Sequence, residues 1–369
     1  MSEPLSVLII GCGRVAVKHL KAIKDLKGIV VLKGLCDAKR ESADKLLSGS
    51  GFSDDIQIFE DYKTAIDTLK PNITAITVPS GLHYEIATYA MEHGSDILLE
   101  KPMAMSNSQS REIYDTARKT GRKIAMGHIY RYLPVVGLIR DDIAKGLYGK
   151  VLYGSIYVRW GHDDDYYNSA AWRGTWKSDG GALMNQTIHA IDLLVWLMGS
   201  EPVEATSMIT RRIRDIEAED LGMAVLRLEN GALASVEGTT CTDPDKHMAM
   251  FTICCEKGTL SMGLDSGKAK LDLRLFGGKK VNGRYLRRQI KQAGLSFTVK
   301  SALNPHLGIY RDLADSIRSD KAPIADSYSG FSSVDTLMGI YKSAKEGKTV
   351  SLPLKEDFAS TDMIDYPIQ

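Results

Sequence analysis

Near the N-terminus an apolar hexapeptide runs directly into a pair of glycines, and this feature constrains the fold more than any other. Residues 5–10 read LSVLII, which has the length and apolar content of a buried strand. The letters GCGRVA follow, and helical spacing then continues to residue 26. A strand, a glycine turn and a helix in this order predict the first βα unit of a parallel sheet.

The same alternation of apolar runs and helical patterns continues to residue 127. Strands are predicted at 5–10, 29–37, 73–78, 96–99 and 122–127, and helices at 15–26, 62–69, 83–94 and 107–121. Strands that are apolar almost throughout indicate a parallel sheet covered by helices on both faces. We therefore predict a doubly wound α/β domain of the Rossmann type over residues 1–127.

Beyond residue 128 the pattern changes to β-rich runs joined by glycine-bearing turns, such as those at 229–232 and 256–259. Helical patterns at 182–199 and 307–320 interrupt these runs. A chain of 369 residues exceeds what one hydrophobic core usually serves. Residues 128–369 are therefore predicted to form an α+β domain for substrate binding and oligomerisation, with a large, mostly antiparallel open sheet.

Composition excludes several classes of protein. The formal net charge is +1, which gives the whole chain no bias toward nucleic acid or membrane surfaces. No apolar run is long enough to span a bilayer, and the first residues lack the basic region of a signal peptide. Five scattered cysteines without a CxxC pair are typical of reduced thiols rather than a zinc site. We expect a cytoplasmic protein that binds small molecules.

The glycine pair is a candidate dinucleotide site. Gly11 permits a tight turn, and Gly13 lets the backbone approach a pyrophosphate at the N-terminus of the following helix. Asp37, at the end of the second predicted strand, can accept both ribose hydroxyls of NAD and would repel a 2′-phosphate. NAD is thus favoured over NADP, although Lys39 and Arg40 keep NADP as the alternative.

Two later loops are predicted to border the same crevice. Pro79 and Ser80 follow one strand, and His83 opens the next helix. Glu100 and Lys101 follow the next strand within the letters EKP. Loops at the carboxyl ends of parallel strands line the ligand crevice of an open α/β sheet. Lys101 is therefore predicted to point toward the cofactor.

A polar stripe marks the helix predicted at 182–199. Asn185, His189 and Asp192 are four and three residues apart, which places them on one face of a helix that is otherwise apolar. Buried polar groups need partners, so a local pair of His189 and Asp192 is one interpretation. The preceding letters DGG and the predicted crevice favour a functional role for His189, with Asp192 orienting its ring.

These residue types suit hydride transfer. NAD takes a hydride from a carbinol carbon while a base takes the hydroxyl proton. Lys101 can be that base if it is desolvated or lies near the positive nicotinamide. His189 is the other candidate, because its unperturbed pKa lies near neutrality. The residues leave the choice open, and we expect both to contact the reacting hydroxyl.

Substrate contacts are predicted in the second domain. The loop at 160–176 carries Trp172, Arg173 and Trp176, whose rings can stack on a sugar and whose guanidinium can bind a carboxylate or phosphate. The full candidate set is Arg131, Tyr132, Trp172, Arg173, Asn185 and His189.

Two charged runs allow more than one interpretation. The letters HDDD at 162–165 are interpreted as a solvated acidic loop, because the run alone defines no metal-ligand geometry, and no metal site is predicted. Residues 268–300 are strongly basic, with Asp272 their only acid. A solvated edge is the usual meaning of such a run, an entrance for a nucleotide diphosphate is the sharper hypothesis, and a nucleic-acid arm is third. His306 is placed near the same entrance.

Three motifs together resemble a known family. GxGxxA near the N-terminus, EKP after a later strand and GGALMNQTIH in the second domain occur in the order found in the Gfo/Idh/MocA oxidoreductases. The resemblance spans nearly the whole chain. Residues 171–199 are most similar to the branch of nucleotide-sugar 3-dehydrogenases that act on UDP-N-acetylglucosamine or its uronic acid.

The resemblance implies positions for the cofactor and the chemistry. It places a nicotinamide cofactor along Gly11, Gly13, Arg14, Val15 and Asp37, with Pro79, His83, Glu100 and Lys101 around its nicotinamide half. The family's EKP lysine is catalytic and is often followed by a cis peptide bond. The family's second motif, often Asp-x-x-x-His, here reads Asn185-x-x-x-His189. The histidine matches and the acid does not.

The leading expectation is thus an NAD-dependent oxidoreductase acting on a secondary hydroxyl of a sugar, in particular a nucleotide sugar. An inositol, polyol or free-sugar dehydrogenase of the same fold is the first alternative. A catalytically silent NAD-sensing regulator and an enzyme that cleaves glycosides with tightly bound NAD are two others. The open sheet of the second domain predicts a homodimer or homotetramer, because an exposed apolar face is usually buried by a partner.

Overall fold

The computed structural model describes residues 3–53 and 55–368. Contacts divide the chain into two compact units, called here the first and the second unit. The first unit comprises residues 1–104, 109–133 and 296–331, and the second comprises 105–108, 134–295 and 332–369. The sequence predicted a single domain boundary after residue 127. The structure differs, because residues 296–331, far beyond that boundary, belong to the first unit.

The first part of the chain alternates strands and helices, as predicted. Its strands are β1 (Leu5–Ile10), β2 (Val30–Cys36), β3 (Gln57–Phe59), β4 (Ile73–Ile76), β5 (Asp96–Leu99) and β6 (Ile124–Met126). Its helices are α1 (Ala16–Asp25), α2 (Arg40–Leu47), α3 (Tyr62–Leu69), α4 (His83–Glu92) and α5 (Asn107–Thr120).

The six strands form one parallel sheet in the order β3-β2-β1-β4-β5-β6. Every residue of β4 and β5 is buried, which explains why these strands are mostly apolar rather than alternating; Thr74 and Asp96 are their polar members. The order reverses between β1 and β4, and ligands of open α/β sheets bind at such a switch point. The predicted Rossmann fold is confirmed.

From residue 134 onward the chain is mixed. The strands are β7 (Val151–Arg159), β8 (Pro202–Thr210), β9 (Leu221–Leu228), β10 (Leu233–Thr239), β11 (Met248–Cys255), β12 (Gly258–Asp265), β13 (Lys268–Leu275) and β14 (Val350–Ser351). The helices are α6 (Val136–Ala144), α7 (Asp164–Asn168), α8 (Ile188–Met198), α9 (Asn282–Ala293), α10 (Leu295–Leu303), α11 (His306–Ser319) and α12 (Ser327–Glu346). In the described ranges no helix is long and apolar enough to cross a membrane.

The second unit is built on an eight-stranded sheet in the order β13-β12-β11-β7-β10-β9-β8-β14. Among the eight described strands of this sheet, only β7 and β10 pair in parallel, so the predicted mostly antiparallel sheet is confirmed. Helix α8 packs closely on one face: a Cβ at Gly154 of β7 would lie 2.8 Å from Leu194 and 2.6 Å from Met198. The opposite face carries exposed apolar side chains.

Candidate active site

The glycine turn lies at the switch point between β1 and β4. Gly11 has φ +96°, and a Cβ there would come within 2.7 Å of the backbone of Thr77 and Val78. Only glycine therefore fits between β1 and the end of β4. Nothing lies within 4 Å of a Cβ at Gly13, which leaves room for a ligand against the backbone.

The N-terminus of α1 is open to an anion. Its N-cap residue, Val15, makes no side-chain capping hydrogen bond. Gly13 and Arg14, both exposed, also line a cavity of about 850 Å³ together with Lys21 and Lys45. A helix N-terminus without a side-chain cap, beside cationic side chains, suits a pyrophosphate.

Asp37 lies directly after β2 and is held next to the glycine turn. Its Oδ2 accepts a hydrogen bond of 2.8 Å from the backbone N–H of Cys12, and its Oδ1 accepts one of 2.9 Å from that of Lys39. Asp37 remains partly exposed. An aspartate at this point, anchored to the turn, has the position needed to accept ribose hydroxyls of a dinucleotide. The described residues thus fit NAD.

The loop after β4 contains both exposed and buried members of the predicted set. Pro79 is exposed and Ser80 is partly exposed at the start of a 3₁₀ turn, Ser80–Leu82. His83 is only 1% exposed, and its ring nitrogens lie 2.7 Å from the Pro102 carbonyl and 3.1 Å from the Val78 carbonyl. His83 is therefore a buried link between two loops, and its predicted contact with the cofactor remains a prediction.

The EKP segment follows β5, and the peptide bond between Lys101 and Pro102 is cis, as the resemblance implied. Lys101 is partly exposed, whereas Glu100 is buried and its Oε1 lies 3.1 Å from His19 Nε2 and 2.9 Å from His306 Nε2. The sequence placed His306 near a substrate entrance, and that expectation was wrong, because the residue is 2% exposed inside the first unit.

The polar stripe of the second unit begins on a π-helical turn, Leu183–Thr187, that leads directly into α8. Asn185 and His189 are partly exposed on a stretch that is otherwise almost entirely buried, while Asp192 is 3% exposed. π-Turns are frequent at functional sites, because they re-aim side chains that a regular helix would place elsewhere.

An acid that sequence reasoning missed supports Asn185. The Asn185 amide donates to Asp179 Oδ1 at 2.6 Å, and Asp179 Oδ2 accepts from the backbone N–H of Gly174 at 2.9 Å. Asp179 is the first residue of the DGG letters, so the available signal was an acid just before two glycines and a helix. The carboxylate missing from position 185 is thus present six residues earlier.

Aromatic rings and a guanidinium stack beside this pair. His162 stacks on Tyr166 with centroids 3.6 Å apart, and its Nε2 lies 2.9 Å from the Gln186 amide. Arg173 lies over both Tyr166 and Trp172, at 4.2 and 4.6 Å from the ring centroids. Trp172 is exposed, so this cluster can offer a stacking surface and a positive charge to a ligand.

Other predicted substrate residues have structural partners. Arg131 donates to the carbonyl of Ile324 at 2.8 Å, and the Tyr132 hydroxyl donates to Asp312 at 2.8 Å. Both are buried, which favours bracing of the first unit over contact with substrate. Trp176 is 1% exposed against Tyr341, so the prediction that it stacks on a sugar was wrong.

A buried carboxyl supports the start of the π-turn. Glu219 is fully buried, and its Oε1 accepts from the backbone N–H of Leu183 at 2.9 Å and from the Tyr341 hydroxyl at 2.8 Å. Burial raises the pKa of Glu219 to about 7, although these hydrogen bonds lower it. A Cβ at Gly181 would lie 2.0 Å from Glu219 Oε2, so the second glycine of DGG makes room for this carboxyl.

The acidic run at 162–165 has roles other than metal binding. Asp163 Oδ1 accepts from the backbone N–H of Tyr166 and so caps α7. Asp164 pairs with Arg214 at 3.3 Å. His162 takes part in the aromatic cluster described above.

Comparison with known proteins agrees with this geometry. Residues 5–128 match the family model for the oxidoreductase family with an NAD-binding Rossmann fold. The sheet order, the glycine turn and Asp37 thus define an NAD-binding oxidoreductase, and the predicted cofactor is confirmed. Residues 137–261 match the model for the GFO/IDH/MocA C-terminal domain. The chain belongs to the Gfo/Idh/MocA family.

Individual relatives have different substrates. The structure is similar to that of the WlbA dehydrogenase from Bordetella pertussis in complex with NADH and UDP-GlcNAcA, with 27% identity, 96% of this chain and 99% of that chain covered, and a TM-score of 0.84. The D-glucoside 3-dehydrogenase of Escherichia coli is 28% identical over 56% of this chain, and the levoglucosan dehydrogenase of Pseudarthrobacter phenanthrenivorans is 28% identical over 54%. The chain matches 57% of the length of each of these two curated relatives.

Proposed function

We propose that this protein is an NAD-dependent dehydrogenase that transfers a hydride between the nicotinamide and a secondary hydroxyl of a nucleotide sugar. The substrate class is that of UDP-N-acetylglucosamine and its uronic acid. The observation that carries the proposal is the full-length similarity to the WlbA dehydrogenase, whose structure contains NADH and UDP-GlcNAcA. The structure of levoglucosan dehydrogenase with NADH and levoglucosan also covers 95% of this chain, but at 22% identity and a TM-score of 0.81. The higher identity of 27% therefore favours the WlbA dehydrogenase.

The chain's own residues would hold the cofactor and move one proton. The glycine turn and Asp37 bind the dinucleotide, and bound NAD supplies the hydride acceptor. As the carbinol carbon loses its hydride, Lys101 or His189 takes the hydroxyl proton, and the products are a ketone, NADH and a protonated base. Asn185, held by Asp179, orients the sugar by hydrogen bonding, because an amide cannot itself accept the proton.

Two cationic regions support an anionic substrate. Arg173 lies next to exposed Trp172, which can stack on a ring while the guanidinium binds a carboxylate or phosphate. In the basic segment, Arg288 already pairs with Asp142 at 2.5 Å and Arg274 with Asp272 at 2.9 Å. Lys280 also lies 3.8 Å from Asp272. Lys279, Arg284, Arg287 and Lys291 are further exposed cations of this segment, and these four form the proposed diphosphate entrance.

The proposed function is tested by incubating the purified protein with NAD and a panel of substrates while NADH absorbance is recorded. UDP-N-acetylglucosamine and its uronic acid should give NADH with the highest kcat/KM. Faster turnover of inositol or of a free glucoside would favour the alternative suggested by the D-glucoside relative. Binding of NAD without any turnover would favour a regulator, and sugar release without net NADH would favour redox-assisted glycoside cleavage.

A charge-reversal variant tests the entrance separately. Replacing Lys279, Arg284 and Arg287 with Glu should raise the KM for a UDP-sugar about tenfold or more, while the Kd for NAD stays the same. The control is the KM of the same variant for a free sugar. This KM should not change, because a neutral substrate makes no ion pair with these cations. An unchanged KM for the UDP-sugar would remove the entrance from the proposal.

We also propose a homodimer or homotetramer that functions in the cytoplasm. On the exposed face of the second unit's sheet, Met208 lies directly opposite Met223, and these side chains are 83% and 53% exposed. Val225, Leu233 and Tyr153 extend this apolar face across β9, β10 and β7. Light scattering of the variant M208E/M223E should report a monomer.

All five cysteines are free thiols, which suits a reducing compartment.

A further inference from the structure

One carboxylate in the second unit joins the two segments that carry the candidate substrate residues. Asp179 is 8% exposed. Its Oδ2 accepts a hydrogen bond of 2.9 Å from the backbone N–H of Gly174, and its Oδ1 accepts one of 2.6 Å from Nδ2 of Asn185. Gly174 directly follows Arg173, and Asn185 begins the polar stripe that leads to His189. A single side chain thus holds the arginine loop and the π-turn in one arrangement.

The turn that carries Asp179 is itself fixed by backbone hydrogen bonds. The Thr175 carbonyl accepts from the N–H groups of Asp179 at 3.1 Å and Gly180 at 2.9 Å. Gly180 has φ +68°, in the left-handed region that glycine adopts without strain. At the other end, the Gly174 carbonyl accepts from the N–H of Ala218 at 2.9 Å. The Asp179 carboxylate is therefore a fixed pair of acceptors to which its partners adapt.

This carboxylate determines which end of the Asn185 amide faces it. Carboxylate oxygens only accept hydrogen bonds, and an amide donates through its nitrogen alone. The reversed amide would place its oxygen where the nitrogen lies, 2.6 Å from Asp179 Oδ1, and set two acceptors against each other. The Tyr166 hydroxyl, 3.4 Å from the same Nδ2, can also accept from it. The Asn185 oxygen, on the other branch of the planar amide, is therefore directed away from Asp179.

Asp179 also explains why position 185 carries an amide. An aspartate there would face the Asp179 carboxylate at hydrogen-bond distance, and two carboxylates that close together repel each other. An asparagine replaces this repulsion with a hydrogen bond and still has one acceptor oxygen. The oriented amide therefore supplies what the aspartate of an Asp-x-x-x-His pattern supplies, an acceptor, without its negative charge.

We propose that Asp179 is a positioning residue for the dehydrogenase reaction, which orients the Asn185 amide so that its oxygen accepts a hydrogen bond from a hydroxyl of the sugar. This proposal rests on the proposed function, which supplies the sugar. A group that only accepts hydrogen bonds would be rejected at the place of that hydroxyl, because two acceptors would then meet.

The test is an exchange of the acid and the amide in the full-length protein. In D179N the one amide oxygen at position 179 stays with the backbone N–H of Gly174, which cannot reverse, so the new NH₂ group faces Asn185. The Asn185 amide must then reverse and turn an N–H group toward the sugar. For the sugar that the wild type turns over best, kcat/KM should fall about thirtyfold or more, while the Kd for NAD stays within about twofold.

The reverse change and the double variant complete the exchange. N185D alone should lose about as much activity as D179N, because it sets a second carboxylate against Asp179. In D179N/N185D the hydrogen bond returns with its direction reversed: the amide at 179 donates, the carboxylate at 185 accepts, and an acceptor oxygen again faces the sugar. The kcat/KM of the double variant should return to within about fivefold of the wild type.

A second measurement separates orientation from folding. Deoxyfluoro analogues of the substrate replace one hydroxyl at a time by fluorine, which cannot donate a hydrogen bond. Their Ki values as competitive inhibitors should identify one hydroxyl whose replacement weakens binding about tenfold in the wild type and in the double variant. In D179N this penalty should disappear, because the reversed amide offers an N–H group there. A general loss of structure would weaken all analogues alike.

NMR gives a third measurement, which needs neither turnover nor a folded D179N. In protein with isotope-labelled asparagine, the Asn185 side chain, assigned with N185D, should show one strongly deshielded amide proton, because its Nδ2 donates to a carboxylate at 2.6 Å. D215N is the matched control, since Asp215 is exposed on the segment between β8 and β9. D215N should change neither kcat/KM nor this signal.

The proposal is overturned if D179N keeps the kcat/KM and the Ki pattern of the wild type. It is also overturned if the double variant is no better than either single variant, or if Asn185 shows no deshielded amide proton. Failure of the proposed function is a separate result: no sugar would then give NADH, and the NMR signal would still show whether Asp179 orients Asn185. If sugars are turned over and the exchange does not restore activity, only the positioning role fails.

Discussion

The two candidate proton-transfer residues have opposite surroundings. In the first unit, the neighbours of Lys101 are held by three buried histidines whose contacts are within the protein. In the second unit, His189 and Asn185 are partly exposed, and the nearby Trp172 and Arg173 are side chains of a loop. In the proposed mechanism, the chemistry shared by all substrates falls to a residue whose neighbours are held by a core. Selection of the substrate falls to side chains that can change without unfolding the protein.

The largest effect is expected at Lys101. Replacing it with Met keeps the length of the side chain and removes the amine, so kcat should fall by about a thousandfold or more while the Kd for NAD stays within about twofold. Stopped-flow NADH formation and fluorescence titration of NAD measure the two quantities. Lys119→Met, on the exposed surface of α5, is the control. Undiminished turnover of K101M would remove Lys101 from the mechanism.

Replacing His189 with Asn should have the next largest effect, a loss of about a hundredfold in kcat. The pH profile then decides between the two bases. If His189 is the base, the acid limb of kcat/KM seen in the wild type should disappear in H189N. If Lys101 is the base, the limb should persist at a lower rate. Equal profiles and equal rates for H189N and the wild type would assign His189 a structural role only.

A difference between local sequence pattern and tertiary packing explains which elements were predicted from the sequence. Strand β5 was predicted with its observed bounds, because apolar runs between helical patterns identify a buried parallel strand. Helix α12 was not predicted, since its residues SYSGFSSVDTLMGIYKSAKE mix poor helix formers with apolar ones. Its many buried side chains show that packing stabilises this helix more than propensity does.

Residues of the candidate site could be predicted where a single sequence motif contains them and also gives the physical reason for their position. Gly11, Asp37 and Lys101 each follow a strand, and strand ends meet at one edge of a parallel sheet. The contact of Glu100 with His306 joins residues 206 positions apart, and no local pattern reports it. Asp179 was missed for a different reason: the expected acid was sought at position 185 itself, whereas the fold supplies it from the preceding turn.

Glu219 should give a smaller, pH-dependent effect on stability. The folded chain raises the pKa of this carboxyl from 4.5 to about 7. Below pH 4.5 it is protonated in both states. As the pH rises toward 7, the unfolded chain loses the proton first and is favoured, so the free energy of unfolding falls and then levels off. Because the side chain of E219Q cannot ionise, its free energy of unfolding at pH 8 should exceed that of the wild type by on the order of 2 kcal/mol.

Urea denaturation of E219Q and the wild type at pH 5 and pH 8 measures this difference. The advantage of E219Q should be larger at pH 8. Glu217→Gln is the control, because Glu217 lies two residues away in the sequence and is exposed. If the difference in the free energy of unfolding between E219Q and the wild type does not change with pH, ionisation of Glu219 does not destabilise the folded protein.

The smallest effect is expected at Arg173, which lies on a loop of the second unit. Arg173→Lys keeps the positive charge and removes the planar group that lies over Tyr166 and Trp172. KM for a UDP-sugar should rise about tenfold with kcat within about twofold, since a stacked, bidentate guanidinium is not replaced by an ammonium. A free sugar should show no such change in KM. If kcat falls and KM does not, Arg173 acts on the transition state, and the second unit contributes to the chemistry as directly as the buried core around Lys101.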